Sequence, residues 1–446
     1  MSESSTKPRC ELPFSKIVQA AADARRDLRA GASLNTVIRP TLQKLQAESR
    51  PAAQAIIYES VRKTALTHEL LSTLCSRTPT PAVLSLLEAA FAAFFLGRYA
   101  DFTIVSETVN AAKAHPATRT ASGFINAILR RYLREKENLL ANAEQHPEVR
   151  FNAPRWWIER IRAAWPSDAE RILTLGTAHP PMTLRVNCRK TDPETYLQTL
   201  RNAGINAKKT GPEAVTLLNP LPVEHIPGFT EGLSSVQDAG TQLAAHLLPI
   251  STGDRVLDAC AAPGGKTAHI LEMRDCEMTA LEIDPARTEK IRETLSRLSL
   301  CADVRTADAA DTASWWDGKL FDAILLDAPC TASGVVRRQP DTPWLRRAVD
   351  IKNLAKEQRT LLHALWPLLK KGGHMLYATC SIFPEEGSIQ MERFKAEMPD
   401  AMLIPFPGAP EGILTLLPEE NEEFESSSQK PAVHDGFFYA LLQKRK

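Results

Sequence analysis

RVLDACAAPGGKTAHI, residues 255–270, is the most informative stretch of the chain. RVLDAC is typical of a buried strand, and Gly264 and Gly265 let the backbone turn tightly into a helix. The N-terminus of such a helix presents N–H groups to an oxygen-rich ligand. GKT at 265–267 also resembles the end of a P-loop, but Cys260 stands where that motif requires its first glycine. The stretch therefore predicts a cofactor-binding turn, with a P-loop NTPase as the alternative.

Further apolar strands alternate with helical stretches on the C-terminal side of this turn. The predicted strands are 255–260, 277–283, 303–307, 321–328, 374–380 and 436–443. This alternation predicts a doubly wound, mainly parallel α/β sheet. Ligands of such sheets bind outside the carboxyl ends of the strands.

Acidic residues stand at three of these strand ends. Glu282 follows Gly265 by 17 residues and ends the second strand, where a carboxylate accepts hydrogen bonds from ribose hydroxyls. Asp308 follows the third strand, in place to meet an adenine amino group, and Asp327 ends the fourth. A single acid of this kind is typical of a helix cap. The ordered set predicts an adenosine site, as in class I S-adenosylmethionine-dependent methyltransferases.

Two cysteines follow neighbouring strands, Cys330 in LLDAPC and Cys380 in YATCS. C5 of cytosine is a poor nucleophile, and addition of a thiolate at C6 makes it reactive. One cysteine would be this nucleophile, with a lowered pKa, and the other would help to release the adduct. Asp327 would hydrogen-bond the exocyclic amino group and N3 of the base. A lone cysteine is usually a small buried hydrophobe, but this pair favours chemistry, and the pattern leaves the two roles open.

The N-terminal part predicts consecutive amphipathic helices from residue 14 to about residue 140. Residues 1–140 carry 19 Lys and Arg against 12 Asp and Glu, which indicates a polyanion partner as readily as a solvated surface. SGFINAILRRYLREK, 122–136, is predicted to end in a basic turn that contains Arg130, Arg131, Arg134 and Lys136. Interaction of that turn with the helix dipole is preferred to phosphate binding. A helix at 151–166 and a small α+β module follow.

Composition is ordinary for a soluble globular protein, with 43% hydrophobic and 24% charged residues and a net charge of +1. The eight cysteines include no C-x-x-C pair, so neither a zinc site nor a disulfide framework is expected. No signal peptide or membrane span is predicted, which places the protein in the cytoplasm. The acidic run at 418–430 is expected to be a flexible surface loop.

Several motifs resemble those of the bacterial RNA 5-methylcytosine methyltransferases, and more narrowly those of the RsmB (Sun/Fmu) class. They are LDACAAPGGKT, LLDAPC, RRQPDTPW and YATCS, with SVQDAGTQL upstream and SGFINAILRRYLRE at the end of a NusB-like domain. The resemblance implies transfer of a methyl group from S-adenosylmethionine to C5 of a cytosine in 16S ribosomal RNA. It implies RNA as the partner, with no metal and no obligate protein partner.

The same resemblance assigns roles to residues. Cys380 is the nucleophile that attacks C6, Cys330 assists adduct resolution, and Asp327 serves both the base and the cofactor. The implied cofactor site comprises Cys260, Ala261, Ala262, Pro263, Gly264, Gly265, Lys266, Glu282, Asp308 and Asp327. The implied domains are 1–145, helical and NusB-like; 146–233, a linker helix and α+β RNA-binding module; and 234–446, the Rossmann-like methyltransferase.

This chain departs from the family pattern at three places. One is ASG at 332–334, after Cys330 and Thr331, where S-A-T-G is usual, a small change that is expected to be tolerated. Glu282 stands where relatives often have aspartate, and PEEG at 384–387 lacks a frequent asparagine, which leaves Glu385 and Glu386 without a role. Two alternatives accompany the NTPase: the same chemistry on tRNA or 23S rRNA, and a non-catalytic RNA-binding or antitermination factor suggested by the basic helical part. The target nucleotide and the oligomeric state are not predicted.

Overall fold

The computed structural model describes residues 14–421 and 431–445. They form two compact units, one of residues 14–177 with 339–346 and one of residues 178–338 with 347–445. This division does not test the predicted boundaries after residues 145 and 233, which stay predictions. In the described part of the chain, no helix combines the length and the apolar character needed to cross a membrane.

The first unit is helical, as predicted for residues 14–140. α5 is buried on nearly all sides and packs against α1 and α3. It begins at Pro81, whose fixed φ suits a first helical position, and ends at Gly97 in the left-handed conformation, φ 62°. The helices are α1 (Phe14–Arg29), α2 (Leu34–Gln43), α3 (Arg50–Arg62), α4 (Thr64–Leu74), α5 (Pro81–Leu96), α6 (Asp101–Ala114), α7 (Ser122–Ala143), α8 (Pro147–Phe151), α9 (Arg155–Ala164) and α10 (Ala169–Thr177).

The predicted basic end of α7 is wrong. The helix continues to Ala143, seven residues beyond Lys136, so the basic residues lie in its interior, away from the C-terminal carbonyls. Arg130 donates to Asn126 and Arg131 to Glu135. The leucines after Lys136 continue the apolar face and Leu139 is buried in the core, which is why the helix does not stop at the basic turn.

The second unit begins with a small antiparallel sheet in the order β2-β3-β1-β4, packed with one helix. Its elements are β1 (Met182–Val186), α11 (Pro193–Asn202), β2 (Ala207–Lys209), β3 (Ala214–Leu217) and β4 (Ser234–Val236). α11 starts at Asp192, whose side chain accepts a hydrogen bond from the Thr195 N–H.

A large doubly wound sheet fills the rest of the second unit. The sheet and its helices comprise α12 (Ala239–Leu247), β5 (Arg255–Ala259), α13 (Gly265–Met273), β6 (Glu277–Glu282), α14 (Pro285–Leu298), β7 (Asp303–Thr306), α15 (Thr312–Trp315), β8 (Phe321–Asp327), α17 (Ala348–Leu365), β9 (Leu369–Thr379), α18 (Ser388–Glu397), β10 (Ala401–Leu403), β11 (Ile413–Leu416) and β14 (Phe437–Lys444). β12 (Glu419–Glu420) and β13 (Val433–His434) form a separate two-stranded sheet. α16 (Thr342–Leu345) belongs to the first unit.

The strand order of the large sheet is β10-β14-β9-β8-β5-β6-β7. β9, β8, β5, β6 and β7 run parallel, and β14 joins β9 antiparallel. α12, α13 and α14 cover one face, and α17 and α18 cover the other. This order confirms the predicted α/β class and makes β8 and β9 neighbours.

One end of the predicted acidic loop is structured. β12 pairs with β13 through Glu419 and His434, so the expectation of a loop throughout 418–430 is wrong at its start. Residues 422–430 lie outside the described part of the chain.

The RRQPDTPW motif is divided between the two units. In the second unit, Arg337 and Arg338 both bond the buried carboxylate of Asp435. In the first unit, Asp341 accepts from the Leu34 N–H at 2.8 Å and the indole of Trp344 donates to the Asn152 carbonyl at 2.9 Å.

Candidate active site

The carboxyl ends of β8 and β9 bring the two predicted cysteines together. The sulfur atoms of Cys330 and Cys380 lie 3.2 Å apart, within reach of an S–H···S hydrogen bond and beyond the length of a disulfide. Cys330 is buried and Cys380 is partly exposed. An incoming substrate therefore meets Cys380 first.

The surroundings of Cys330 disfavour its thiolate form. The hydrogen bond with Cys380, burial and the nearby Glu386 carboxylate together raise the pKa of Cys330 well above its usual range. Either sulfur can donate in this geometry, and the raised pKa of Cys330 favours Cys330 as the donor. A sulfur that accepts such a hydrogen bond is stabilised as the thiolate, which is the nucleophilic form.

Two glycines hold the loop after Cys330 against neighbouring backbone. The Gly334 N–H donates to the Cys380 carbonyl at 2.9 Å, and the Gly436 N–H donates to the Gly334 carbonyl at 2.8 Å. A Cβ on Gly334 would lie 2.2 Å from the Gly436 carbonyl oxygen. This close approach requires glycine and fixes the Cys330 loop beside Cys380.

Asp327, the last residue of β8, is paired with a lysine from the glycine-rich turn. The distance from Lys266 Nζ to Asp327 Oδ2 is 2.6 Å. Burial opposes the charge of the Lys266 ammonium, but Asp327 outweighs it and raises the Lys266 pKa. The glycine-rich turn and the Asp327 carboxylate thus form one electrostatic unit. The sequence did not predict this pair, because Lys266 was assigned to the cofactor site alone.

The predicted turn lies between β5 and α13. Gly264 has φ 94° and caps α13. Cys260 is also left-handed at φ 64°, and burial raises its pKa above the usual range, so it remains a thiol. Asp258, which sequence reasoning missed, is fully buried in β5 and accepts from the Thr267 hydroxyl. Burial raises its pKa to about 7.

Glu282 and Asp308 lie at the ends of adjacent strands, as predicted. Glu282 Oε1 accepts from the Asp284 N–H and from Arg287, whereas its buried Oε2 has no hydrogen-bond partner among the described residues. Such an atom is open to a donor from water or from a ligand, and a ribose hydroxyl would be a suitable donor. Asp308 is exposed and accepts from the Ala310 N–H. Ile283, which is 64% exposed, offers apolar surface at the same edge.

Three side chains elsewhere in the second unit have the composition of a metal site. Ligand atoms of Glu213, His246 and His269 all lie within 4.8 Å of one another. A 2.8 Å hydrogen bond between His246 and Glu213 accounts for that pair without an ion. The expectation of a metal-free enzyme stays a prediction.

The strand order of the large sheet, with the glycine-rich turn and the acidic residues at the carboxyl ends of its strands, places the chain in the class I S-adenosylmethionine-dependent methyltransferases. Family models agree: 16S rRNA methyltransferase RsmB/F matches residues 245–443, the ferredoxin-like domain of RsmF/B-like methyltransferases matches 153–224, and the NusB family matches 12–134. "Ribosomal RNA small subunit methyltransferase B" of Pseudomonas putida is 41% identical over 436 residues, covering 95% of this chain and 98% of the relative. The Vibrio cholerae protein of that name is 42% identical and covers 76% of each chain.

The chain therefore belongs to the RsmB/F family of methyltransferases, which confirms the resemblance inferred from its motifs. Solved structures agree on the fold. PH0851 superposes with a TM-score of 0.77 at 23% identity, covering 98% of this chain and 100% of the other. A methyltransferase homologue from Pyrococcus horikoshii gives 0.56 at 26% identity, covering 67% and 97%.

Proposed function

We propose that this chain transfers a methyl group to C5 of a cytosine in 16S ribosomal RNA, with Cys380 as the nucleophile. The observation that carries the proposal is the 3.2 Å pair of sulfurs, with Cys330 buried and Cys380 partly exposed. Relatives named for small-subunit ribosomal RNA support the choice of substrate.

The residues of the pair divide the reaction into two steps. The Cys380 thiolate adds to C6, and the displaced electron pair moves toward N3, where Asp327, transiently protonated, donates a hydrogen bond that stabilises the developing charge. C5, now enamine-like, takes the methyl group, which is what S-adenosylmethionine supplies when bound. Cys330, after losing its own proton to solvent, takes the C5 proton. The C5–C6 double bond then re-forms and the Cys380 thiolate leaves.

The turn at 260–266 and the strand-end acids supply the cofactor site in this proposal. Glu282 binds the ribose through its unpartnered Oε2, Asp308 faces the adenine amino group, and the α13 N-terminus receives the polar end of the ligand. Lys266 holds Asp327 between cofactor and base. The target cytosine must be unpaired or flipped so that C6 reaches Cys380.

Methylation mapping tests the proposal. Purified protein and its Cys380→Ala variant are incubated with S-adenosylmethionine and unmodified 16S rRNA, 23S rRNA and tRNA, followed by bisulfite sequencing. We expect one new 5-methylcytosine in 16S rRNA with the wild type and none with the variant. A mark confined to tRNA or 23S rRNA would overturn the substrate, and binding of ATP in place of S-adenosylmethionine would favour the NTPase alternative.

A further inference from the structure

The carboxylate of Glu386, which follows the Cys380 loop, is fully buried, with 0% of the residue exposed. Its Oε1 accepts from the Thr331 N–H at 2.9 Å and from the Gln358 amide at 3.1 Å. Its Oε2 accepts from the hydroxyls of Thr331 and Ser381. One carboxylate thus receives four hydrogen bonds, all from neutral groups.

Two of these partners are the residues that directly follow the cysteines. Thr331 is next to Cys330 and Ser381 is next to Cys380. Through Glu386 the two loops, which are 50 residues apart in the chain, share one set of hydrogen bonds. The carboxylate therefore links the two cysteine loops, in addition to the bond from the Gly334 N–H to the Cys380 carbonyl.

Side chains of helix α17 and strand β9 hold Glu386 and its partners in place. The Gln358 amide of α17 also donates to the Pro329 carbonyl at 2.9 Å. The Tyr377 hydroxyl of β9 is within hydrogen-bond distance of Gln358 Oε1, at 2.9 Å, and of the Glu386 carbonyl, at 2.8 Å. Residues locked in this way keep a reactive pair in one geometry.

Burial of a carboxylate among neutral donors is costly for a fold, because the donors only partly replace water. Burial raises the pKa of Glu386, and the hydrogen bonds from Ser381, Thr331 and Gln358 oppose that rise. The charge also contributes to the high pKa of Cys330. All four hydrogen bonds of the carboxylate come from residues that follow the two cysteines or from Gln358 behind them, so the carboxylate points to a role at the reacting pair.

We propose that Glu386 is a positioning residue for the reaction: its carboxylate sets the distance between the Cys330 and Cys380 loops and, bonded to the N–H of the residue after Cys330, places a negative charge near that thiol. The inference rests on the proposed function for its catalytic meaning. It gives a role to the second glutamate of PEEG, which the motif left without one.

Two variants separate geometry from charge. In Glu386→Gln, the amide oxygen can accept from the Thr331 N–H and from Gln358, and the NH2 group can donate to the hydroxyls of Thr331 and Ser381. This variant keeps the hydrogen bonds and removes the charge. Glu386→Ala removes both. Glu385→Gln makes the same charge change one residue away and is the matched control.

The first measurement is the ultraviolet absorbance of the Cys330 thiolate against pH without RNA, assigned by difference from Cys330→Ala. We expect Glu386→Gln to move this titration to lower pH, because a negative charge near the thiol is lost, and Glu385→Gln to leave it at the wild-type position. If the Cys330 titration in Glu386→Gln is the same as in the wild type, the proposed effect of the Glu386 charge on Cys330 is wrong, whether or not the proposed function holds.

The second measurement follows formation and release of the covalent RNA adduct by rapid quench across pH. We expect Glu386→Gln to form the adduct at close to the wild-type rate, and the pH dependence of its release to move to lower pH. Glu386→Ala, checked for folding by circular dichroism, should form the adduct about 100-fold more slowly. Equal formation rates in Glu386→Ala and wild type would overturn the positioning part. No adduct with the wild type would instead count against the proposed function.

Discussion

The sulfurs of Cys330 and Cys380 lie 3.2 Å apart, although 50 residues separate them in the chain. The parallel pairing of β8 with β9, which sets Asp327 opposite Ala378, brings the two loops to one edge. The environments differ, since Cys330 is buried and its pKa is raised by the Cys380 contact, by burial and by Glu386, whereas Cys380 is partly exposed. This difference makes Cys380 the stronger candidate for attack and Cys330 for the later proton transfer.

The pair of Lys266 and Asp327 is expected to act as a unit. If either partner is removed, the remaining charge is largely buried and has lost its counter-charge. We predict that Lys266→Met and Asp327→Asn each lower kcat/KM for RNA methylation by about 100-fold. The kcat/KM of the double variant should be no lower than that of the less active single variant. The exposed Lys290→Met is the control, and additive losses in the double variant would show that the residues act separately.

Glu282 is expected to govern affinity for the methyl donor. Its buried Oε2 has no protein partner among the described residues, so it is available to the ribose. Glu282→Gln should weaken S-adenosylmethionine binding about tenfold, or about 1.4 kcal/mol, by isothermal titration calorimetry. Glu289→Gln, on the exposed face of α14, should bind normally. Unchanged affinity in Glu282→Gln would remove this residue from the cofactor site.

Glu88 should stabilise the helical unit in a pH-dependent way. It is buried and pairs with Arg25 at 3.1 Å and Arg29 at 2.6 Å. Burial alone would raise its pKa, but Arg25, His68 and Arg29 lower it from 4.5 to about 2. A carboxylate whose pKa is lower in the folded than in the unfolded state stabilises the fold. This stabilisation is complete above the pKa of the unfolded state and is lost as the pH falls toward the pKa of the folded state.

At pH 7, Glu88→Gln should therefore reduce the free energy of unfolding by about 3–5 kcal/mol, because Arg25 is left buried without a counter-charge. The difference from wild type should shrink as the pH falls from about 4.5 toward 2 in denaturant titrations. Glu135→Gln, which breaks an exposed pair with Arg131, should cost less than about 1 kcal/mol. A pH-independent loss in Glu88→Gln would show that packing, not charge, is responsible.

Gly334 should tolerate no side chain. In Gly334→Ala the new Cβ meets the Gly436 carbonyl oxygen at 2.2 Å, and the loop after Cys330 must move away from Cys380. We predict a loss of about 1–3 kcal/mol in the free energy of unfolding and about 100-fold slower methylation. Gly123→Ala in α7, where nothing lies within 4 Å of the Cβ position, should keep full activity. Wild-type kinetics in Gly334→Ala would contradict the role given to this contact.

The parts of the fold that follow from local hydrophobic periodicity and turn residues could be predicted from the sequence. Strand–helix alternation indicated the sheet, and the order of strands put the two cysteine loops side by side. Contacts made by distant residues were not predictable: Gln358 reaches Glu386 from 28 positions upstream, and Lys266 meets Asp327 from 61 positions away. The end of α7 was misjudged because the basic residues looked like a terminal turn, although apolar contacts extend the helix to Ala143.

The most direct test is to locate the covalent bond. Cys330→Ala is incubated with S-adenosylmethionine and unmodified 16S rRNA, the adduct is isolated on a denaturing gel, and RNase and protease digests are analysed by mass spectrometry. We predict a methylated cytosine nucleotide attached to Cys380, and no adduct in the variant that also carries Cys380→Ala. A nucleotide attached to any other residue, or the same adduct without Cys380, would contradict the account.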